Sequence, residues 1–332
     1  MPDRPRLTPA IADVRRAVRP TLPGPDALVL VALSGGGDSL ALAAAAGFEG
    51  PRAGVRVGAV VVDHGLQAGS DAVAARAAAQ ARALGLDPVR VVRVEVGTDG
   101  GPEAAARTAR YAALERAARD LDATVVLLAH TLDDQAETVL LGLARGSGAA
   151  SLQGMAAESG IYRRPLLGTP RTTTRQACAD AGMEPWDDPH NADPAYARVR
   201  VRTAVLPVLE RELGPGVAEA LARTAEQLRE DAAALDGFAD EVAEDLAEHS
   251  EAGVALPVAA LAANPPALRQ RLIRVVVRGE FGVALTRAQT LEVARLVTDW
   301  HGQDGVDLPG VSVVRRNGRL EFRSREGADG HG

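Results

Sequence analysis

The 332-residue chain contains no lysine: all 37 basic residues are arginine, set against 44 Asp and Glu for a net charge of −7. That absence excludes the G-x-x-x-x-G-K-[ST] phosphate loop, protein kinases, Schiff-base enzymes and ligases that adenylate their own lysine, because each needs an ε-amine at its centre. A single cysteine, Cys178, excludes an intrachain disulfide and a cysteine-paired sulfur carrier or cluster site, and reads as a small core residue. Aromatics are only 3 % of the chain, so platforms for stacking nucleic-acid bases are few. No apolar run approaches the ~18 residues of a membrane span. The stretch 1–20 carries Arg4, Arg6, Arg15, Arg16 and Arg19 without an apolar signal region, so the expectation is a cytoplasmic protein with no membrane partner.

Charge is unevenly placed. Residues 216–251 hold two arginines against 11 acids and account for the whole negative excess, leaving the remainder slightly basic. An arginine-lined face for RNA phosphates is therefore compatible with the composition. The length accommodates more than one domain. The expected division is a catalytic domain over 1–215, an acidic connecting helix over 216–251, a small C-terminal domain over 252–325, and a frayed tail over 326–332.

The chemistry centres on Leu28 to Leu40. An apolar run over 27–33 reads as a buried strand; it enters Ser34-Gly35-Gly36-Gly37-Asp38-Ser39, and a helix-forming segment follows. A glycine turn between strand and helix gathers unpaired backbone N–H groups and the positive end of the helix dipole on one point, where a phosphate is the natural ligand. The Ser34 and Ser39 hydroxyls add donors, and Asp38 is placed to hold a divalent cation against phosphate oxygens. Leu40 stands where a dinucleotide fingerprint needs its third glycine. The S-G-G-x-D-S pattern resembles instead the loop of the N-type ATP pyrophosphatases, or PP-loop enzymes, which cleave ATP between its α and β phosphates.

Further strands are expected over 55–62, 89–96 and 124–129, with helices over 69–84, 103–121 and 133–144, and a short fifth strand over 161–167 before a helix over 172–181. Strands alternating with helices imply an α/β, doubly wound, mostly parallel sheet covered on both faces. The glycine loop, Asp63-His64 and His130 all follow strands, so they fall on one ligand-binding edge. Residues 182–196, interrupted by three prolines, read as a loop. Later come one long exposed helix over 215–251, short helices over 257–263 and 266–278, and a capping-box helix from Thr286 to Trp300. A terminal hairpin over 311–323 turns at Asn317-Gly318.

The second informative stretch is His130-Thr131-Leu132-Asp133-Asp134-Gln135-Ala136-Glu137-Thr138. At helical spacing Asp133, Asp134 and Glu137 crowd one corner, suited to Mg²⁺ or an ammonium group, while Val139, Leu140 and Leu143 supply the buried side. Asp134-x-x-Glu137 also reads as a capping box.

Both stretches, with Glu103 to Tyr111, Leu143 to Gly148, Arg164-Pro165-Leu166-Leu167, Asp188-Pro189-x-Asn191 and Arg198-x-x-x-Arg202, resemble the tRNA(Ile)-lysidine synthetase family over residues 25–215. Val199 departs from the asparagine of that pattern. The resemblance implies ATP and Mg²⁺, L-lysine, and the isoleucine tRNA with a CAU anticodon. ATP would adenylate the C2 carbonyl oxygen of the wobble cytidine and release pyrophosphate, and lysine would then displace AMP at C2 to give lysidine. It implies Ser34, Gly35, Gly36, Gly37, Asp38, Ser39 and Asp63 at ATP, with Asp38 at the metal, and Asp134 and Glu137 at the lysine amines. His130 or Asp133 would serve as proton acceptor, with Arg198 and Arg202 at the α-phosphate or RNA backbone. Arg107, Arg110, Tyr111 and Arg145 are the candidates to contact the tRNA, as are Arg269, Arg271, Arg274, Arg278, Arg315 and Arg316 downstream. A homodimer is left open. Competing readings are a tRNA thiolation enzyme, an amidotransferase-coupled synthetase and a non-catalytic nucleotide-binding module.

Overall fold

The computed structural model describes residues 7–65, 69–97, 101–146, 148–250 and 253–325. Leu66, Gln67, Ser147 and the 326–332 tail, each part of a sequence expectation, lie outside them. The chain divides into two compact units, Met1–Leu228 and Arg229–Gly332.

The first unit runs α1 (Pro9–Val18), β1 (Leu28–Ala32), α2 (Gly37–Glu49), β2 (Arg56–Asp63), α3 (Ser70–Ala83), β3 (Val89–Arg93), α4 (Pro102–Asp120) and β4 (Val125–Leu127). It continues through α5 (Leu132–Ala144), α6 (Ala149–Leu152), the hairpin strands β5 (Glu158–Ser159) and β6 (Tyr162–Arg163), and α7 (Arg171–Asp180). Then α8 (Ala197–Arg200) widens into a π-turn (Val201–Val205) and resumes as α9 (Leu206–Leu213). The α1 helix was not anticipated; Thr8 caps it by accepting from the Ile11 N–H, a signal hidden by the arginines around it.

The sheet order is β3-β2-β1-β4-β6-β5, parallel except for the β5–β6 hairpin. All five residues of β1 are buried. The unbroken apolar run is needed because both faces are covered: Val29, Val31 and Leu33 pack with α1, α2, α3 and α7, whereas Leu28, Leu30 and Ala32 pack beneath α4 with Leu114 and Ala118. The chain leaves β1 toward β2 and β3, then crosses back to β4 on the other side. The reversal of order beside β1 is where an open sheet of this kind forms its ligand crevice.

The acidic helix α10 (Val217–Leu246) is capped by Glu210, whose carboxylate accepts the N–H groups of Gly216, Val217 and Ala218 at 2.7, 3.2 and 2.9 Å. These bonds hold that carboxyl below its ordinary range. The second unit adds β7 (Glu248–Ser250), β8 (Gly253–Pro257), α11 (Val258–Ala263), α12 (Pro266–Phe281), α13 (Arg287–Thr298), β9 (Val306–Leu308), β10 (Val311–Arg316) and β11 (Arg319–Ser324). Its antiparallel sheet has the order β7-β8-β11-β10-β9. The Thr286–Gln289 capping box and the Asn317-Gly318 turn, with φ of 50° and 75°, match the expectations. The helix expected over 215–251 stops at Leu246, and β7, β8 and β9 were missed. Three- to five-residue strands carry too little alternation to stand out from a single sequence.

Candidate active site

The turn after β1 is shaped by few contacts. Gly35 sits at φ 84°, in the left-handed region, and a Cβ there would meet Ala77 Cβ at 3.4 Å. Gly36 is the N-cap of α2, so the unpaired N–H groups of the first helical turn open onto the loop. The Ser39 hydroxyl donates to Gly36 O at 2.9 Å and lies 3.1 Å from Ser34 Oγ, tying the two ends of the turn together. The Trp186 N–H donates to Gly35 O at 2.9 Å, so the 182–196 segment is fastened to the glycine turn.

Beside the loop lies a cleft of about 230 Å³, lined by Ser34, Val62, Asp63, His64, Arg110 and Trp186 among others. The Asp63 carboxylate accepts the Gly65 N–H at 3.0 Å and shapes the end of β2. Arg110, on the third turn of α4, also lines the cleft, and burial lowers the pKa of its guanidinium.

Asp38, in the first turn of α2, accepts a hydrogen bond from the Thr174 hydroxyl and lies 3.5 Å from Arg171 Nε. Burial nevertheless raises its pKa, because these partners only partly offset the loss of solvent. From Arg171 the contacts continue into α5. Its guanidinium donates to Asp134 at 2.7 Å and to Glu137 at 3.1 Å, while its backbone N–H donates to Asp133 at 2.7 Å. Burial lowers the Arg171 pKa, but the surrounding acids raise it further, so the guanidinium is firmly charged.

Glu137 is fully buried and is gripped by Arg202 through Nε at 2.7 Å and a terminal nitrogen at 3.0 Å. Arg198 Nε stands 3.9 Å away, and it is a buried nitrogen without a hydrogen-bond partner among the described residues. Arg198 and Arg202 reach the same carboxylate from either side of the point where α8 widens into the π-turn, a feature common at functional sites.

The cap of α5 begins earlier than the sequence suggested. Thr131 and Asp134 form the reciprocal box, with Thr131 N–H donating to Asp134 at 2.8 Å, which frees Glu137 to point inward. The buried face of α5 accordingly holds Gln135, Ala136, Glu137 and Val139, whereas Leu143, expected inside, is 59 % exposed. Burial raises the Asp134 pKa, but Arg171 and the Thr131 bonds more than reverse it and hold the carboxyl below its usual range.

His130, three residues beyond the end of β4, has a buried Nδ1 without a hydrogen-bond partner among the described residues. Burial, partly opposed by Asp134 and reinforced by Arg110, Arg164 and Arg107, pushes its pKa down to about 3. The imidazole is therefore neutral and weakly basic at neutral pH. Arg107 lies over the Tyr111 ring, which meets Tyr162 edge-on at 5.0 Å, so Tyr111 belongs to the packing beneath α4. Arg145 is exposed at the C-cap of α5.

In the second unit Arg269 is bound to the carbonyls of Leu261 and Asn264, Arg271 to Asp236 and Arg315 to Leu296 O; Arg278 and Arg316 are exposed. Cys178 is buried, and burial raises its thiol pKa to about 11.

Sequence reading missed Arg171 and Thr174, which join the loop to the acids. Their one local signal is Arg171 directly after Pro170 at a helix start; nothing in the spacing says which acids they meet.

Among the described residues no group of three or more His, Cys, Asp or Glu side chains is arranged to hold a metal ion. Asp38 sits in the first turn of α2, directly after the glycine turn, and one carboxylate completed by substrate phosphates and water is an ordinary way to bind Mg²⁺.

A strand-turn-helix phosphate loop on a parallel sheet, with acids and arginines on the same edge, defines an ATP-utilising PP-loop protein, and the PP-loop domain family model matches residues 11–209. The TilS substrate binding domain model matches residues 256–321. Curated relatives named tRNA(Ile)-lysidine synthase include one from Leifsonia xyli, 68 % identical with 92 % of each chain covered. One from Thermobifida fusca is 56 % identical, covering 93 % of this chain and 96 % of that one. The chain belongs to the tRNA(Ile)-lysidine synthase family. Among solved structures it is similar in fold to the U34-tRNA thiolase NcsA from Methanococcus maripaludis with its [4Fe-4S] cluster. The TM-score is 0.57 at 20 % identity, covering 67 % of this chain and 80 % of that one.

Proposed function

We propose that this chain is an ATP-dependent ligase that makes lysidine at the wobble cytidine of the isoleucine tRNA with a CAU anticodon. ATP adenylates the C2 carbonyl oxygen and releases pyrophosphate; the side-chain amine of L-lysine then displaces AMP at C2. The observation that carries this reading is the run of contacts from Asp38 through Arg171 to Asp134 and Glu137, which sets a phosphate loop against carboxylates suited to an amine.

In this reading Ser34 to Ser39 cradle the phosphates, and the α2 N-terminus stabilises charge developing on the leaving pyrophosphate. Asp38 would hold Mg²⁺, which supplies charge neutralisation at the same oxygens. Arg198 and Arg202 would bind the α-phosphate or the RNA backbone in competition with Glu137, and Asp134 and Glu137 would receive the amino groups of lysine. The amine is cationic at neutral pH and needs a proton acceptor. The two candidates are Asp133, half-buried and bonded to the Arg171 N–H, and His130, just beyond β4. Arg107, Arg110 and Arg145 contribute cationic contacts to the RNA.

Sulfur delivery, the chemistry named for the thiolase, would here have a single buried cysteine to work with.

The test is AMP formation with purified chain, ATP and Mg²⁺. Release that requires both lysine and the cognate tRNA supports the assignment; equal turnover with unrelated tRNAs, or with a sulfur donor in place of lysine, removes it.

A further inference from the structure

An ammonium group that is to reach Glu137 must displace a guanidinium, because the carboxylate is fully buried among three arginines. The three are not equally held. Arg171 is 10 % exposed, has its backbone N–H fixed by Asp133, and shares its guanidinium among Asp38, Asp134 and Glu137. Arg202 is 27 % exposed, lies in the π-turn, and has Glu137 as its hydrogen-bonding partner, with Asp134 at 3.6 Å. Arg198 is 30 % exposed and donates to Thr138 at 3.3 Å, and its unpartnered Nε gives Glu137 a reserve donor should Arg202 leave.

We propose that Arg202 is a positioning residue which keeps Glu137 closed to amines until nucleotide phosphate draws its guanidinium away, so that the amine substrate binds after ATP. This rests on the lysidine reading above. A planar guanidinium pairs bidentately with phosphate as well as with carboxylate, and a triphosphate carries more negative charge than one carboxylate. Transfer of Arg202 leaves Glu137 with Arg171 and Arg198 and one cation fewer, which an ammonium restores. The two substrates are then coupled thermodynamically, each tightening the other.

The experiment is isothermal titration of the full chain with L-lysine, with and without Mg²⁺ and a non-hydrolysable ATP analogue, in the wild type and in Arg202→Met. Wild type is expected to bind lysine at least about tenfold more tightly with the analogue present. Arg202→Met, without analogue, is expected to bind lysine at least about tenfold more tightly than wild type without analogue, and to gain little from adding it. Lysine should also raise the melting temperature of the variant more than that of wild type.

An arginine that merely braces the fold would move the variant the other way, weakening lysine binding. Equal wild-type affinity with and without analogue overturns the proposal, as does a variant that binds no more tightly than wild type. So does undetectable lysine binding throughout, if wild-type AMP release still requires lysine. Loss of that lysine requirement in the wild type removes the lysidine reading itself. Should Arg202→Met fail to fold, Arg202→Gln serves the same comparison, and the wild-type pair of titrations decides alone.

Discussion

The glycine loop and the acid–arginine cluster lie on the same sheet edge but are built in opposite ways. The loop is a local object: Ser34 to Ser39 bond to one another, and the donors it offers are backbone N–H groups preset by the strand-to-helix geometry. The cluster is assembled from afar: Asp134 and Glu137 on α5 are held by Arg171, 34 residues beyond Glu137, and by Arg202, 65 beyond it. A backbone-built site tolerates change in its side chains but not in its path, whereas a charge-built site depends on every member, since each buried charge is compensated by the others.

That contrast can be broken most directly at Asp38, the loop-side carboxylate that meets Arg171. Asp38→Ala should lower the rate of pyrophosphate release by about 10²–10³-fold, the scale of removing one charge-stabilising group. Lysine use should fall with it, because no adenylate forms. Glu137→Ala should instead fail first in stability. Three guanidiniums would lose their buried counter-ion, at a cost of about 3–5 kcal/mol, to be read from urea unfolding. Some adenylation should survive in the folded fraction while lysine dependence is lost; equal loss of both steps would contradict separate roles.

On the loop side, Gly35→Ala forces an L-residue into the left-handed region at a cost of about 1–2 kcal/mol and should weaken ATP binding with little effect on lysine. The effect that is smallest near neutral pH is in pH dependence. His130 has a folded pKa near 3, below the 6.5 of a free imidazole, so the unfolded chain takes up the proton first as pH falls. Its contribution to stability is therefore complete above about pH 6.5 and shrinks as pH drops toward 3, and His130→Gln should flatten unfolding curves across that window.

The same division decided what could be read in advance. The strand-turn-helix unit was legible because its signal is contiguous: Leu28 to Leu33 apolar, three glycines, then helix formers, and the structure places β1 and α2 accordingly. From β1 to α5 the order of strands and helices followed from the same alternation. The acids of α5 were legible as a cluster, but not their partners. The pairing of Glu137 with Arg171 and Arg202 depends on how α7 and the helix bearing the π-turn pack on α5, which no local pattern encodes. Leu143 was misplaced for the same reason, since the inward face of α5 was taken by a charged network that a hydrophobic count assigns to solvent. In the second unit the capping box and the Asn-Gly turn, both local chemistry, were recovered while β7, β8 and β9 were not.

The π-turn at Val201–Val205 makes the number of residues here matter more than their identity. Removing one residue from it would restore regular winding of about 100° per residue and re-aim the side chains inside the turn, Arg202 among them. Arg202 would then swing off the carboxylate of Glu137 that it grips, even though both arginines were retained. Conservative swaps at Thr203 or Ala204 should pass unnoticed, whereas a single deletion should be as damaging as losing an arginine.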